Sequence, residues 1–133
     1  MNPPARRWIL IVDDDVHTTI VLSRLINARG FRTMTANSLE AAQQIAATGI
    51  IGFIICDLGL PDGDGCTLMA DLSGESGITG VALSGFGMQA DVKRSQEAGF
   101  ALHLTKPIHV SHLDQILAVA ARELDKLGPP APP

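Results

Sequence analysis

The run Ile50-Ile51-Gly52-Phe53-Ile54-Ile55-Cys56 constrains the fold more than any other part of the chain. It is apolar without alternation. A strand of this kind is covered on both faces, as in the middle of a parallel sheet, and does not suit a sheet with one wet face. Parallel neighbours need long crossover connections, usually helices, and the rest of the chain supplies them. Four further apolar runs, at residues 8–12, 31–36, 78–83 and 101–105, alternate with helix-like segments. The first helix pattern covers 16–29, with Ile20, Val21, Leu22, Leu25 and Ile26 on one side and Gly30 at its end. Asn37 is placed to cap the second, with Glu40 in the capping-box position, and that helix ends near Gly49. A short third helix is expected over 66–72, followed by a Gly/Ser turn, and a fourth over 88–98. The last, over 111–127, carries the stripe Leu113, Ile116, Leu117, Ala120, Leu124, Leu127. Five strands alternating with five helices predict an α/β fold, a doubly wound five-stranded parallel sheet with helices on both faces.

With 133 residues the chain has room for one domain of ordinary size. Its hydrophobic fraction of 46% argues against intrinsic disorder. No apolar stretch approaches the roughly 20 residues of a membrane helix. The start, Asn2-Pro3-Pro4-Ala5-Arg6-Arg7, does not read as a signal peptide, so a cytoplasmic location is expected. Ten Lys and Arg against fourteen Asp and Glu give a net charge of −4 with no basic stripe, which argues against nucleic acid as a partner. Two cysteines, Cys56 and Cys66, are too few for a disulfide framework or a four-ligand zinc site and read as reduced thiols.

In an open parallel sheet, ligands bind beyond the carboxyl ends of the strands. The residues that follow the apolar runs are therefore the informative ones. After the first come Asp13, Asp14 and Asp15, after the third Asp57, after the fourth Ser84, and after the fifth Lys106. Asp15 reads as a helix cap, whereas Asp13 and Asp14 as adjacent caps would be redundant. Two carboxylates about 4 Å apart repel by ~4 kcal/mol at an effective dielectric near 20, so a cluster of them recruits a cation. An all-oxygen donor set suits Mg²⁺, which keeps open coordination positions for a phosphate oxygen. Lys106 supplies a mobile positive charge and Ser84 a hydroxyl. The physical reading is a Mg²⁺-assisted phosphoryl site with a carboxylate nucleophile.

This constellation resembles the receiver domain of two-component response regulators. The motifs that carry the resemblance are Ile9-Leu10-Ile11-Val12-Asp13-Asp14-Asp15, Cys56-Asp57-Leu58-Gly59-Leu60-Pro61-Asp62-Gly63-Asp64-Gly65, Ala82-Leu83-Ser84-Gly85 and Leu104-Thr105-Lys106-Pro107. The resemblance implies a flavodoxin-like (βα)5 sheet of order 2-1-3-4-5 and a receiver domain over 8–127, with an N-terminal extension at 1–7 and a Pro-rich tail at 128–133. It implies Asp57 as phosphoacceptor from a phosphohistidine, assisted by Ser84 and Lys106. It gives Mg²⁺ the ligands Asp13, Asp14, Asp57 and the Gly59 carbonyl, a cis Lys106-Pro107 bond, and a switch formed by Ser84 and His103. It implies a phosphoacceptor that gains and loses its own phosphoryl group, without further enzymatic activity. The partner would be a histidine kinase or a histidine phosphotransfer protein, met as a monomer or weak dimer. Ser84-Gly85-Phe86-Gly87-Met88-Gln89-Ala90-Asp91 and His103-Leu104-Thr105-Lys106-Pro107 look most like receivers at the C-terminus of bacterial hybrid sensor kinases.

Three departures bear on function. His103 stands where Tyr or Phe is usual, and its charge would make the switch pH-sensitive. Gly59 has no side chain to orient a hydrolytic water, and Phe86 is placed to shield the site, so slow dephosphorylation is expected. The alternative activity, an aspartate-nucleophile phosphatase of the haloacid dehalogenase type, would use Asp13 as nucleophile and Asp15 as acid/base. It lacks an acidic pair after Lys106. His109 and His112 read as helix-start residues and not as metal ligands.

Overall fold

The computed structural model describes residues 6–85 and 89–130. The expectation about Phe86 and the expected start of the fourth helix at Met88 lie outside the described residues, as do 1–5 and 131–133.

Five strands, β1 (Trp8–Val12), β2 (Thr33–Ala36), β3 (Ile51–Asp57), β4 (Thr79–Ser84) and β5 (Leu102–Thr105), pair in parallel in the order β2-β1-β3-β4-β5. The sheet and its order are those expected. Five helices connect and close it: α1 (Val16–Ala28), α2 (Leu39–Ala46), α3 (Gly65–Ser76), α4 (Gln89–Ala98) and α5 (Val110–Leu127). A small antiparallel ribbon, Gly59–Leu60 against Gly63–Asp64, sits in the loop after β3.

Successive strand residues point to opposite faces, and each face has its own core. Ile9, Ile11, Phe53, Ile55, Val81 and Leu83 pack with α1 through Leu22 and Ile26 and with α5 through Leu113 and Ile116. Leu10, Val12, Ile54, Cys56 and Ala82 pack on the other face with Ala42 of α2, Leu68 and Met69 of α3 and Ala98 of α4. β3 is central, and Ile51 to Cys56 are all buried, which is what the unbroken apolar run requires. Each such Ile or Phe contributes about 1.5–3 kcal/mol by leaving water. Both cysteines are free. Burial raises the Cys56 thiol and pushes Cys66 up to about 11, so neither is a thiolate at neutral pH. Among the described residues no helix is long and apolar enough to cross a membrane.

Two local expectations are corrected. Ser38, not Asn37, caps α2, its hydroxyl accepting from Ala41 N at 3.1 Å. Asn37 instead turns its amide to the Asp13 carbonyl at 2.8 Å, tying the end of β2 to the end of β1. The third helix runs beyond Leu72 through Ser73 and Gly74 and closes at Gly77, which has φ 68. A Gly in a helix costs only about 1 kcal/mol, and the left-handed Gly77 provides the stop that the pair Ser73-Gly74 was expected to give.

Candidate phosphoryl site

The carboxyl ends of β1 and β3 lie side by side, with Val12 opposite Cys56, so Asp13 and Asp57 emerge together. Asp13 is wholly buried and Asp57 partly so, while Asp14 is exposed. Carboxylate oxygens of Asp13, Asp14 and Asp57 all lie within 4.8 Å of one another. Lys106, from the turn after β5, reaches across two strands. Its Nζ donates to Asp13 Oδ2 at 2.7 Å and to Asp57 Oδ2 at 2.8 Å. Burial alone would lower the Lys106 pKa, but its two carboxylate partners outweigh that, and it stands above its ordinary value. The lysine is thus charged at every physiological pH.

Backbone donors fix the remaining oxygens. Asp13 Oδ1 accepts from Asp15 N at 2.9 Å, and Asp57 Oδ1 accepts from Gly59 N at 2.9 Å. Gly59 is exposed, and a Cβ built there would meet only Asp57 Oδ1, at 3.8 Å. Asp15 does what a helix cap does, accepting from His17 N at 3.0 Å and Thr18 Oγ1 at 3.1 Å. Gly65 brings the start of α3 against the site. A Cβ there would come within 2.7 Å of Cys56 Sγ and 2.8 Å of the Asp57 carbonyl oxygen.

Ser84 and His103 form a neighbouring pair. Ser84 is buried at the end of β4, one residue beyond Leu83, the register partner of Asp57. Its Oγ lies 2.6 Å from His103 Nε2, and its carbonyl accepts from Lys106 N at 2.8 Å. The Lys106-Pro107 bond is cis, as the resemblance implied. His109 and His112 sit at the start of α5, where His112 Nδ1 accepts from His109 N at 3.1 Å.

Sequence reasoning missed two residues. Asp62 accepts from Leu39 N at 2.8 Å and Glu40 N at 3.1 Å, and so caps α2 from the loop that follows β3. Ser95 on α4 is fully buried and lies 2.9 Å from His103 Nδ1. No local spacing marks either residue, because each acts on a different element of the fold.

Chemically, a buried carboxylate, a second carboxylate open to solvent, a third beside them and a lysine between two of them can hold a doubly charged anion next to a cation. The donor set is hard oxygen throughout, which fits a divalent ion of the Mg²⁺ class. The family model for the response regulator receiver domain matches residues 9–118. The chain belongs to that family. Receiver domains are phosphoacceptors, and membership sets aside the haloacid dehalogenase alternative. Geometry agrees, because Asp15, its acid/base, is the α1 cap. Among relatives, the KDP operon transcriptional regulatory protein KdpE of Escherichia coli (strain K12) is 33% identical over 93% of this chain and 55% of its own length. The photosynthetic apparatus regulatory protein RegA of Rhodobacter capsulatus is 30% identical over 95% of this chain and 67% of its own. The chain spans about half the length of relatives such as KdpE. A receiver domain protein (CheY-like) from Methanospirillum hungatei JF-1 shares the fold, with a TM-score of 0.83, 21% identity, and coverage of 93% of this chain and all of that one.

Proposed function

We propose that Asp57 is the phosphoacceptor of this receiver, within a unit spanning 8–127. The observation that carries this is the pairing of Asp57 Oδ2 with Lys106 Nζ at 2.8 Å beside the buried Asp13. An Asp57 oxygen attacks the phosphorus of a partner's phosphohistidine. The O–P bond forms as the P–N bond breaks, and the imidazole leaves with the bonding pair and takes a proton. Lys106 holds one phosphoryl oxygen, and Ser84 is placed on the adjacent strand for another. Asp13, Asp14, Asp57 and the Gly59 carbonyl would hold Mg²⁺, which when bound offsets the charge of the transferred group. Asp13 is kept in place by Asp15 N and by Asn37 on its carbonyl. Ser84 and His103 then form the switch, and the lack of a side chain at Gly59 to orient a hydrolytic water favours a long-lived phosphoryl group.

The donor histidine must reach Asp57, so the donor protein contacts the rim of the site. That rim carries a groove of about 610 Å³ lined by Val21, Leu22, Gly85, Lys106, Pro107 and Ile108. Val21, which lines it, and Val16, Ile20 and Leu25 on the same helix are exposed apolar side chains. They suit the helical surface of a histidine kinase or phosphotransfer protein, met in the cytoplasm by a monomer or weak dimer. The motif at Ser84 to Asp91 supports a hybrid sensor kinase as parent, whereas KdpE and RegA are named as regulatory proteins. Which is right follows from whether the neighbouring coding sequence supplies a kinase core or an effector domain.

Intact mass after incubation with acetyl phosphate tests the chemistry. One phosphoryl group is expected on wild type with Mg²⁺, and none on Asp57→Asn or when a chelator removes the metal. Labelling that survives Asp57→Asn overturns the assignment.

A further inference from the structure

Ser95 is a fully buried hydroxyl on a helix, and the proposed phosphoryl chemistry gives it no role. Its Oγ donates to the Val92 carbonyl at 2.8 Å. A carbonyl only accepts, and a serine has one proton. The contact of 2.9 Å between Ser95 Oγ and His103 Nδ1 is therefore made with the ring's proton: Nδ1–H donates and Ser95 accepts. In a neutral imidazole the other nitrogen is then a bare acceptor. Ser84 Oγ, 2.6 Å from Nε2, must donate to it. The same Ser84 proton is needed by a phosphoryl oxygen, which accepts and cannot donate.

We propose that Ser95 is a positioning residue that holds His103 in the Nδ1–H tautomer and so commits the Ser84 proton to His103 Nε2, and that Ser84 is released to a phosphoryl group when His103 takes up a proton. This rests on Asp57 as phosphoacceptor. With His103 protonated, Nε2–H donates to Ser84 Oγ, and the Ser84 proton is free to turn to the phosphoryl oxygen. No proton is lost: the one gained by the ring comes from solvent. Linkage is reciprocal, so phosphorylation raises the proton affinity of His103 by the same factor that acid favours the Ser84-engaged state.

The surroundings set the range. β4 (Thr79–Ser84) and α4 pack against β5. Leu102 and Leu104 join the core of α1 and α5, so His103 between them faces α4. β4 carries no titratable side chain. From α4, Asp91 is buried and acts on the ring, with Arg94 Nη2 on its Oδ1 at 2.9 Å. Arg94 also pairs with Asp64, and Lys93 pairs with Glu97 at the exposed surface. Burial lowers the His103 pKa below 6.5 and the Asp91 charge works against that, leaving the ring neutral at pH 7 and available for protonation.

Nitrogen-15 NMR of the imidazole tests both halves. In the unphosphorylated protein, wild-type His103 is expected as the Nδ1–H tautomer. Ser95→Ala is expected to mix the tautomers, while Ser95→Thr, which keeps the hydroxyl, restores the single form. An Nε2–H tautomer in wild type, or a spectrum unchanged by Ser95→Ala, overturns the positioning role. The second half compares the His103 titration in free protein and in protein carrying one phosphoryl group by intact mass. A rise of about one unit or more, a tenfold gain in proton affinity, is expected. An unchanged titration in phosphorylated protein overturns the linkage. Absence of any phosphoryl mass overturns the phosphoacceptor reading and the linkage with it, and the tautomer result still stands or falls by its own spectrum.

Discussion

Asp13 is the residue whose environment is hardest to satisfy. Its carboxylate has no exposure and is held by one lysine and one backbone amide. Breaking a buried pair from one side leaves a stranded charge, which destabilises more than the pair itself stabilises. Lys106→Ala is therefore expected to lower stability by about 2–3 kcal/mol in chelator, less than for a fully buried pair because the lysine is partly open to water. Added Mg²⁺ is expected to raise Tm more in Lys106→Ala than in wild type, since a second cation relieves the same repulsion. Thermal melts with and without Mg²⁺ decide it, and equal shifts would remove Asp13 and Asp57 from the metal site. The Lys106 pKa is raised, so its ion pairs act fully below 10.5 and are lost only as pH climbs through the folded-state value. At this scale the sequence was informative, because strand ends bring their next residues to one edge. Ser95 was not legible, because its role depends on which strand residue α4 lies over.

Helix ends are where local reading and structure part. Asn37 had the right chemistry to cap α2, but one residue further on Ser38 does so, because Asn37 is drawn to the Asp13 carbonyl. Asp62, more than twenty residues away, caps the same helix a second time. No spacing rule links a loop residue to a helix start that distant. Those two backbone donors depress the Asp62 pKa below 3.8. The contribution is therefore full above 3.8 and fades as pH falls through the folded-state value. Asp62→Ala is expected to lower Tm at pH 7 by a few degrees, with the gap narrowing as the acid limb is reached. Paired melts across that range check it, and a gap independent of pH would mean that Asp62 acts by packing and not by charge. The third helix was underestimated for a related reason: Ser73-Gly74 looks like a turn locally, but the helix is held at one end by Asp64 on Cys66 N at 2.9 Å and at the other by Gly77.

Across the whole molecule, the two faces of the sheet do different work. α1 and α5 cover one face, and the groove opens there beside Lys106. α3 and α4 cover the other, and the chain Ser84, His103, Ser95 leads from the site into α4. On the proposed reading, donor contact lies on the α1 side and readout runs through α4, so a change on one side need not disturb the other. The alternation of apolar runs made both layers legible, but not the exposure of α1. A stripe of Ile20, Val21, Leu22, Leu25 and Ile26 reads as core, yet only Leu22 and Ile26 are buried and the other three face solvent. Val21 is 55% exposed and lines the groove, so Val21→Glu adds a charge to the rim without touching the core. Exposed substitutions of this kind change stability by about 0.5 kcal/mol or less. Transfer from a phosphohistidine protein is expected to slow roughly tenfold or more, the scale of losing an interface anchor. Labelling by acetyl phosphate needs no protein contact and is expected to keep its rate. Transfer rates from the two donors, measured on wild type and Val21→Glu, separate surface from chemistry. A variant slowed equally with both donors would show that Val21 acts on the site itself, and one slowed with neither would move the docking surface away from α1.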